Sequence, residues 1–125
     1  MSEAPVFDKR WLRASFDKAA AGYDAAAVLQ HEVCRRMLAR LEFIKLDVKA
    51  LLDAGCGTGN ALPALRTRFP RAKICAFDIA PAMLAHAQAR LPWWRRALGR
   101  GAAAVCGDIE RLPFVAASFK LAWSN

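Results

Sequence analysis

The feature that most constrains this chain is the apolar run Val48-Lys49-Ala50-Leu51-Leu52-Asp53-Ala54, which passes directly into Gly55-Cys56-Gly57-Thr58-Gly59. The run reads as a short buried strand. The glycines end it, because they open conformations and close approaches that other residues resist. Residues 61–68 then read as a helix, with Pro63 tolerated only in its first turn. A strand, a glycine turn and a helix in that order open an α/β unit.

The rest of the chain repeats that alternation. Lys73-Ile74-Cys75-Ala76-Phe77 reads as a second strand closing on Asp78. Pro81 opens a helix at a first-turn position, with Met83, Leu84, Ala87 and Leu91 as its buried stripe. Ala102 to Cys106 is a third strand ending at Gly107-Asp108, and Phe119 to Trp123 a fourth ending at Ser124-Asn125. Upstream, residues 7–21 read as a helix that Gly22-Tyr23-Asp24 interrupts. Asp24 caps a second helix whose stripe is Leu29, Val33, Met37 and Leu41, widened by Cys34 and Leu38. Residues 92–101 read as an irregular or short helical insert. Continuous apolar strands alternating with helices predict a mostly parallel sheet covered on both faces. The expectation from the pattern is an α/β, mostly parallel sheet that stops after strand four. Residues 1–44 form an N-terminal helical segment and residues 45–125 the strand-bearing half.

At 125 residues and 56% hydrophobic, the chain has enough apolar matter for one domain, or one truncated domain. Its net charge of +8 is consistent with nucleic acid, an anionic membrane or an acidic partner, and charge alone does not choose among them. No nucleic-acid motif and no clear basic amphipathic helix favours the first two. Four cysteines without a CxxC pair argue against structural zinc and for a reducing cytoplasm. Cys75 and Cys106 sit in apolar runs and are expected to act as small hydrophobes. The N-terminus carries no leader-like segment, and no apolar run approaches bilayer length.

In an open α/β sheet, ligands bind beyond the carboxyl ends of the strands. Here those ends carry Asp53 to Gly59, Asp78, Asp108 and Asn125. The glycines are spaced GxGxG, unlike the GxGxxG that seats a pyrophosphate. With Asp53 at the strand end, the loop suits a positively charged ligand better than a phosphate. Asp78, 19 residues past Gly59, can accept from ribose hydroxyls or cap the next helix. Asp108 can accept from an adenine amino group or cap its own loop. Met83 can lie on the adenine face or fill the core. His31 and His86 read as surface or packing residues. No catalytic side chain and no metal ligand set is expected.

These segments resemble the motifs of class I S-adenosylmethionine-dependent methyltransferases, which implies a Rossmann-like, doubly wound and mostly parallel sheet. Leu52 to Gly59 resembles the first motif, Phe77 to Leu84 the second, and Gly107 to Phe114 the third. Ser118 to Asn125 resembles the strand-four motif, with Lys120 where the family usually has Asp. The resemblance implies S-adenosyl-L-methionine as cofactor. It implies a site of Tyr23, Asp53, Gly55, Cys56, Gly57, Gly59, Asp78, Ile79, Met83, Asp108, Ile109 and Asn125. Tyr23 would cover the cofactor near its methyl group, or pack as a helix-end aromatic.

Residues Arg13 to Asp24 are similar to the N-terminal segment of malonyl-acyl-carrier-protein O-methyltransferases, a family of biotin synthesis, and Trp93-Trp94-Arg95-Arg96 is similar to a stretch in the same group. This implies O-methylation of a malonyl carboxylate on acyl carrier protein, with Arg95, Arg96 and Arg100 steering the acidic carrier. Ubiquinone- or menaquinone-type C-methylation is the enzymatic alternative. The family's chains are about twice as long, adding three strands and most of the acceptor pocket. A truncated remnant that at most binds cofactor is therefore a third reading.

Overall fold

A computed structural model describes residues 9–14, 28–91, 98–99 and 101–125. Four parallel strands form one sheet: β1 (Ala50–Ala54), β2 (Lys73–Asp78), β3 (Ala102–Cys106) and β4 (Leu121–Trp123), in the order β3-β2-β1-β4. Ala54 pairs with Phe77, Asp53 with Trp123 and Asp78 with Cys106, so all four carboxyl ends meet along one edge. The chain winds from β1 outward to β3, then crosses back to place β4 on the other side of β1. The order reverses beside β1, which is where such sheets hold ligands.

Three helices follow the same alternation: α1 (Val28–Arg40), α2 (Leu62–Arg68) and α3 (Pro81–Ala89). Residues 9–14 are also helical. Side chains alternate across β1 and divide the core in two. Leu51, Ile74, Ala76 and Trp123 face Cys34 and Leu41, Leu62 and Leu65 of α2, and Leu84 and Ala87 of α3. On the opposite face Leu52, Ala54, Cys75 and Phe77 meet Val105, Phe114 and Phe119. The rings of Phe77, Phe114 and Phe119 stack edge to face, with centroids 5.8 and 4.9 Å apart. Among the described residues this aromatic segment covers the second face, and the helices lie on the first.

The stripe expected on α3 is the buried one: Met83, Leu84, Ala87 and Leu91 are all in the core. That on α1 needs correction. Leu29 and Val33 are 76% and 42% exposed, and the contact edge is Cys34, Met37, Leu38 and Leu41. A four-residue repeat drifts by about 40° per step on a helix of 3.6 residues per turn. Three steps carry Leu29 well off the face that Leu41 occupies. Cys106 also departs from expectation: it is exposed, because β3 is an edge strand, whereas Cys75 in central β2 is buried. Strands β1 and β4 each begin two residues later than their apolar runs suggest, at Ala50 and Leu121.

Two arginines fasten the connections. The buried Arg66 guanidinium donates to Ala72 O at 2.6 Å and Gly101 O at 2.8 Å, joining the end of α2 to the entrances of β2 and β3. Carbonyl oxygens thus replace the water this cation gives up. Arg68 donates to Ile44 O at 2.7 Å and to Leu41 O, holding the turn after α1 against α2.

Candidate cofactor cleft

The glycine loop is pinned to the end of β2. Gly55 and Cys56 both donate to Phe77 O, at 2.8 and 2.9 Å. Asp78 closes the other side. Its Oδ2 accepts from Gly57 N at 2.9 Å and its Oδ1 from Ala80 N at 3.0 Å. One carboxylate therefore shapes the loop and the turn that leads into α3. The capping alternative needs correction: the residue at the cap position is Ala80, with no side-chain cap bond, and Asp78 holds the turn before it. An ionised carboxylate has about four lone-pair positions, so each Asp78 oxygen keeps room for a further donor.

Two hollows open on either side of this loop. The larger is a cleft of about 340 Å³ over the ends of β2 and β3, and Gly55, Gly57, Asp78, Ile79, Met83, Asp108 and Ile109 all line it. Phe77, Gly107 and Glu110 complete its floor and rim, while Lys9 and Leu12 reach it from the helical residues 9–14. The smaller recess lies toward β4 and holds Asp53, Cys56 and Asn125, and shares Gly55 and Gly57 with the cleft. Gln30, Cys34, Asn60 and Trp123 also border it.

The recess is electrostatically unusual. Asp53 is 3% exposed, and among the described residues no hydrogen bond to its carboxylate is seen. Burial, and then the charge of Asp78, push its pKa up to about 7. Burial and the same two carboxylates push the Cys56 thiol well above its ordinary range, so it stays neutral and is a poor nucleophile. A buried acid beside a recess is a setting in which a cation is bound at a gain.

Asp53 also makes stability depend on pH. The carboxyl ionises near 3.8 when unfolded and near 7 when folded. Between those values the folded state holds the extra proton, so stability falls as pH rises from about 4 to 7. The expected loss is on the order of 3 kcal/mol if no cation is bound. Urea unfolding at pH 4.5 and 7.5 measures it, and Asp53→Asn should flatten the difference. A wild-type stability that is equal at the two pH values, or higher at 7.5, would contradict the burial of this acid.

Comparison with known proteins agrees with the geometry. Residues 51–125 match the family model described as a methyltransferase domain. This chain belongs to that family. The match starts at the second residue of β1 and takes in the glycine loop, Asp78, Asp108 and β4. The chain is 48% identical, over 96% of its length, to the malonyl-[acyl-carrier protein] O-methyltransferase of Gallionella capsiferriformans, and spans 42% of that protein. It is 50% identical, over 99% of its length, to the protein of the same name from a Methylovorus species, again spanning 42% of it. Among solved structures, the putative methyltransferase bound to the Haloferax volcanii Trm112 activator superposes with a TM-score of 0.68 at 27% identity, over 87% of this chain and 46% of that one. A SAM-bound amino pentose methyltransferase from Micromonospora echinaspora gives 0.59 at 26% identity, over 100% of this chain and 44% of that one.

Not every residue expected at the methyltransferase site lies in its hollows. Gly59 lines neither. It has φ +82°, and a Cβ there would stand 2.6 Å from the Cα of Ala87, so its place is the contact between the loop and α3. Tyr23 and the arginines at 95, 96 and 100 lie outside the described residues. Asp108 lines the cleft and caps its own turn by accepting from Glu110 N at 3.0 Å.

Sequence reasoning missed Lys9, Leu12, Asn60 and Glu110. Glu110 is in the Asp108 loop, and the strand-end rule could have found it. Asn60 follows the glycine loop. It donates to a ring nitrogen of His31 at 2.8 Å and accepts from Arg90 at 2.9 Å, so His31, exposed as the surface reading expects, also has a specific partner. Lys9 carries no local signal, being 99 residues from the acid it pairs with.

Proposed function

We propose that the chain binds S-adenosylmethionine across the two hollows and serves methyl transfer to a malonyl carboxylate carried on acyl carrier protein. The observation that carries the cofactor assignment is the pair of buried acids flanking one glycine loop, each facing a different hollow. Asp78 has acceptor capacity left for ribose hydroxyls. Phe77, Ile79, Met83 and Ile109 supply an apolar floor for an adenine ring, with Asp108 at its rim. Asp53 faces the side on which an α-ammonium group would neutralise it. Gly55 and Gly57 let the backbone pass between the two parts, and Cys56 and Asn125 border the amino-acid end.

When bound, the cofactor supplies an electrophilic methyl group on its sulfonium. The chain's part is to orient that group and keep water away. A malonyl carboxylate is ionised at neutral pH, so no general base is needed. The neutral Cys56 does not compete as a nucleophile. The carrier-bound acceptor rests on the names of the relatives at 48 and 50% identity. An acidic carrier also suits the net charge of +8. In this reading residues 1–44 cover the site and residues 45–125 hold the cofactor, with Tyr23 near the methyl group. The four free cysteines fit a reducing compartment. Among the described residues no helix is long and apolar enough to cross a membrane.

A chimera tests the reading at full enzyme length. Residues 1–125 replace the matching segment of the Gallionella relative, and methyl-labelled cofactor is offered with malonyl-carrier protein. Alkali-labile label should appear on the carrier and vanish with Asp78→Ala. A folded chimera that labels no malonyl thioester overturns the acceptor assignment.

A further inference from the structure

The strongest feature outside the glycine loop is the way the N-terminal residues reach the cleft. Lys9 Nζ donates to Asp108 Oδ2 and to Glu110 Oε2 across about a hundred positions of sequence. Lys9 and Leu12 are one helical turn apart and both line the cleft, opposite an apolar floor that includes Ile79 and Met83. The polar part of this contact closes on the rim, and the apolar part closes over the space.

We propose that Lys9 and Leu12 form the roof of the adenine end, and that Lys9 is a positioning residue which latches the roof to the rim. The proposal rests on the reading of the cleft as the cofactor site. Asp108 offers Oδ1 to Glu110 N and Oδ2 to Lys9, and its remaining lone pairs can accept from an adenine amino group. The base and the latch thus share one carboxylate without excluding each other. The latch is built to open. The Lys9 side chain is 45% exposed and that of Glu110 is 73% exposed, and ion pairs so open to water contribute little and weaken with salt. A fixed wall would not serve a cofactor that must enter and leave at every turnover. A roof held by two weak, screened pairs lets it do both, while Leu12 shields the base when closed.

Lys9→Met tests this, because it keeps the aliphatic stem and removes only the charge. Stopped-flow dissociation of S-adenosylhomocysteine should be about tenfold faster in Lys9→Met, as loss of two exposed pairs allows. Release from the unsubstituted protein should speed up as salt rises from 50 to 500 mM, whereas release from Lys9→Met should not respond. Lys9→Arg should restore slow, salt-sensitive release. Binding by both proteins with the same release rate and the same salt response overturns the latch and leaves the cofactor site standing. Failure of the unsubstituted protein to bind S-adenosylhomocysteine overturns both.

Discussion

Gly59→Ala should cost about 3–5 kcal/mol of folding stability, the largest single effect expected on the fold. Two terms add. The residue sits at φ +82°, where a side chain costs roughly 1–2 kcal/mol. The new Cβ would stand 2.6 Å from Ala87 Cα, 2.8 Å from Ala87 Cβ and 2.9 Å from a Leu62 methyl. Two of these atoms belong to a buried helix, and one is backbone, so no rotamer change relieves the overlap. Gly55→Ala is the matched control. It shares the left-handed conformation at φ +69°, but nothing lies within 4 Å of its Cβ position. It should cost only about 1–2 kcal/mol. Urea unfolding of the two variants decides the point: equal losses would show that Gly59 is kept for its backbone angle and not for the approach of α3.

Asp78→Asn should weaken binding of S-adenosylhomocysteine about 100-fold, with a smaller loss of stability. Both carboxylate oxygens accept from backbone N–H groups, Gly57 on one side and Ala80 on the other. An asparagine has one oxygen, so its amide group must face one of those N–H groups donor to donor. Either the loop end at Gly57 or the turn at Ala80 is released. On the proposed cofactor site the ribose would lose a charged acceptor in the same step, and hydrogen bonds to charged groups contribute about 1.5–3 kcal/mol each. Two such bonds weakened together correspond to a factor on the order of 100. Calorimetric titration measures the affinity, and denaturant unfolding measures the loop's share. An affinity within twofold of the unsubstituted protein would mean that Asp78 only shapes the loop and the turn before α3.

What was legible in the sequence, and what was not, follows from range. Parallel strands buried on both sides must be apolar throughout, so β1 and β2 stand out as runs, and the polar residues ending them mark the ligand edge. Asp78 could be placed at the ligand edge because a strand end is a local signal, whereas its bond to Gly57 and the place of the helix cap at Ala80 show only in the folded turn. Gly59 could not be separated from Gly55 and Gly57. Its reason lies in Ala87, on a helix the loop touches only after folding. The α1 stripe was misread at Leu29 and Val33 because a strict four-residue repeat drifts around the helix and leaves the face that Cys34, Met37, Leu38 and Leu41 share. Cys106 looked like Cys75 in sequence, and only the strand order shows that one is at an edge. Lys9 is the extreme case, since nothing near it in sequence hints at acids a hundred residues away.

On the proposed function, the two hollows around the glycine loop hold one methyl-donor cofactor, with its α-ammonium group beside Asp53. Titrating the protein with S-adenosylhomocysteine by calorimetry at pH 6 and pH 8 tests it most directly. Asp53 holds its proton up to about pH 7, and a bound ammonium group favours the ionised form. The account therefore predicts one site per chain, tighter binding at pH 8 than at pH 6, and release of a proton on binding at pH 6, seen as a heat that varies with the buffer. Asp53→Asn should abolish that proton release. No binding at either pH, or binding with no proton release and no response to Asp78→Asn, would contradict the account.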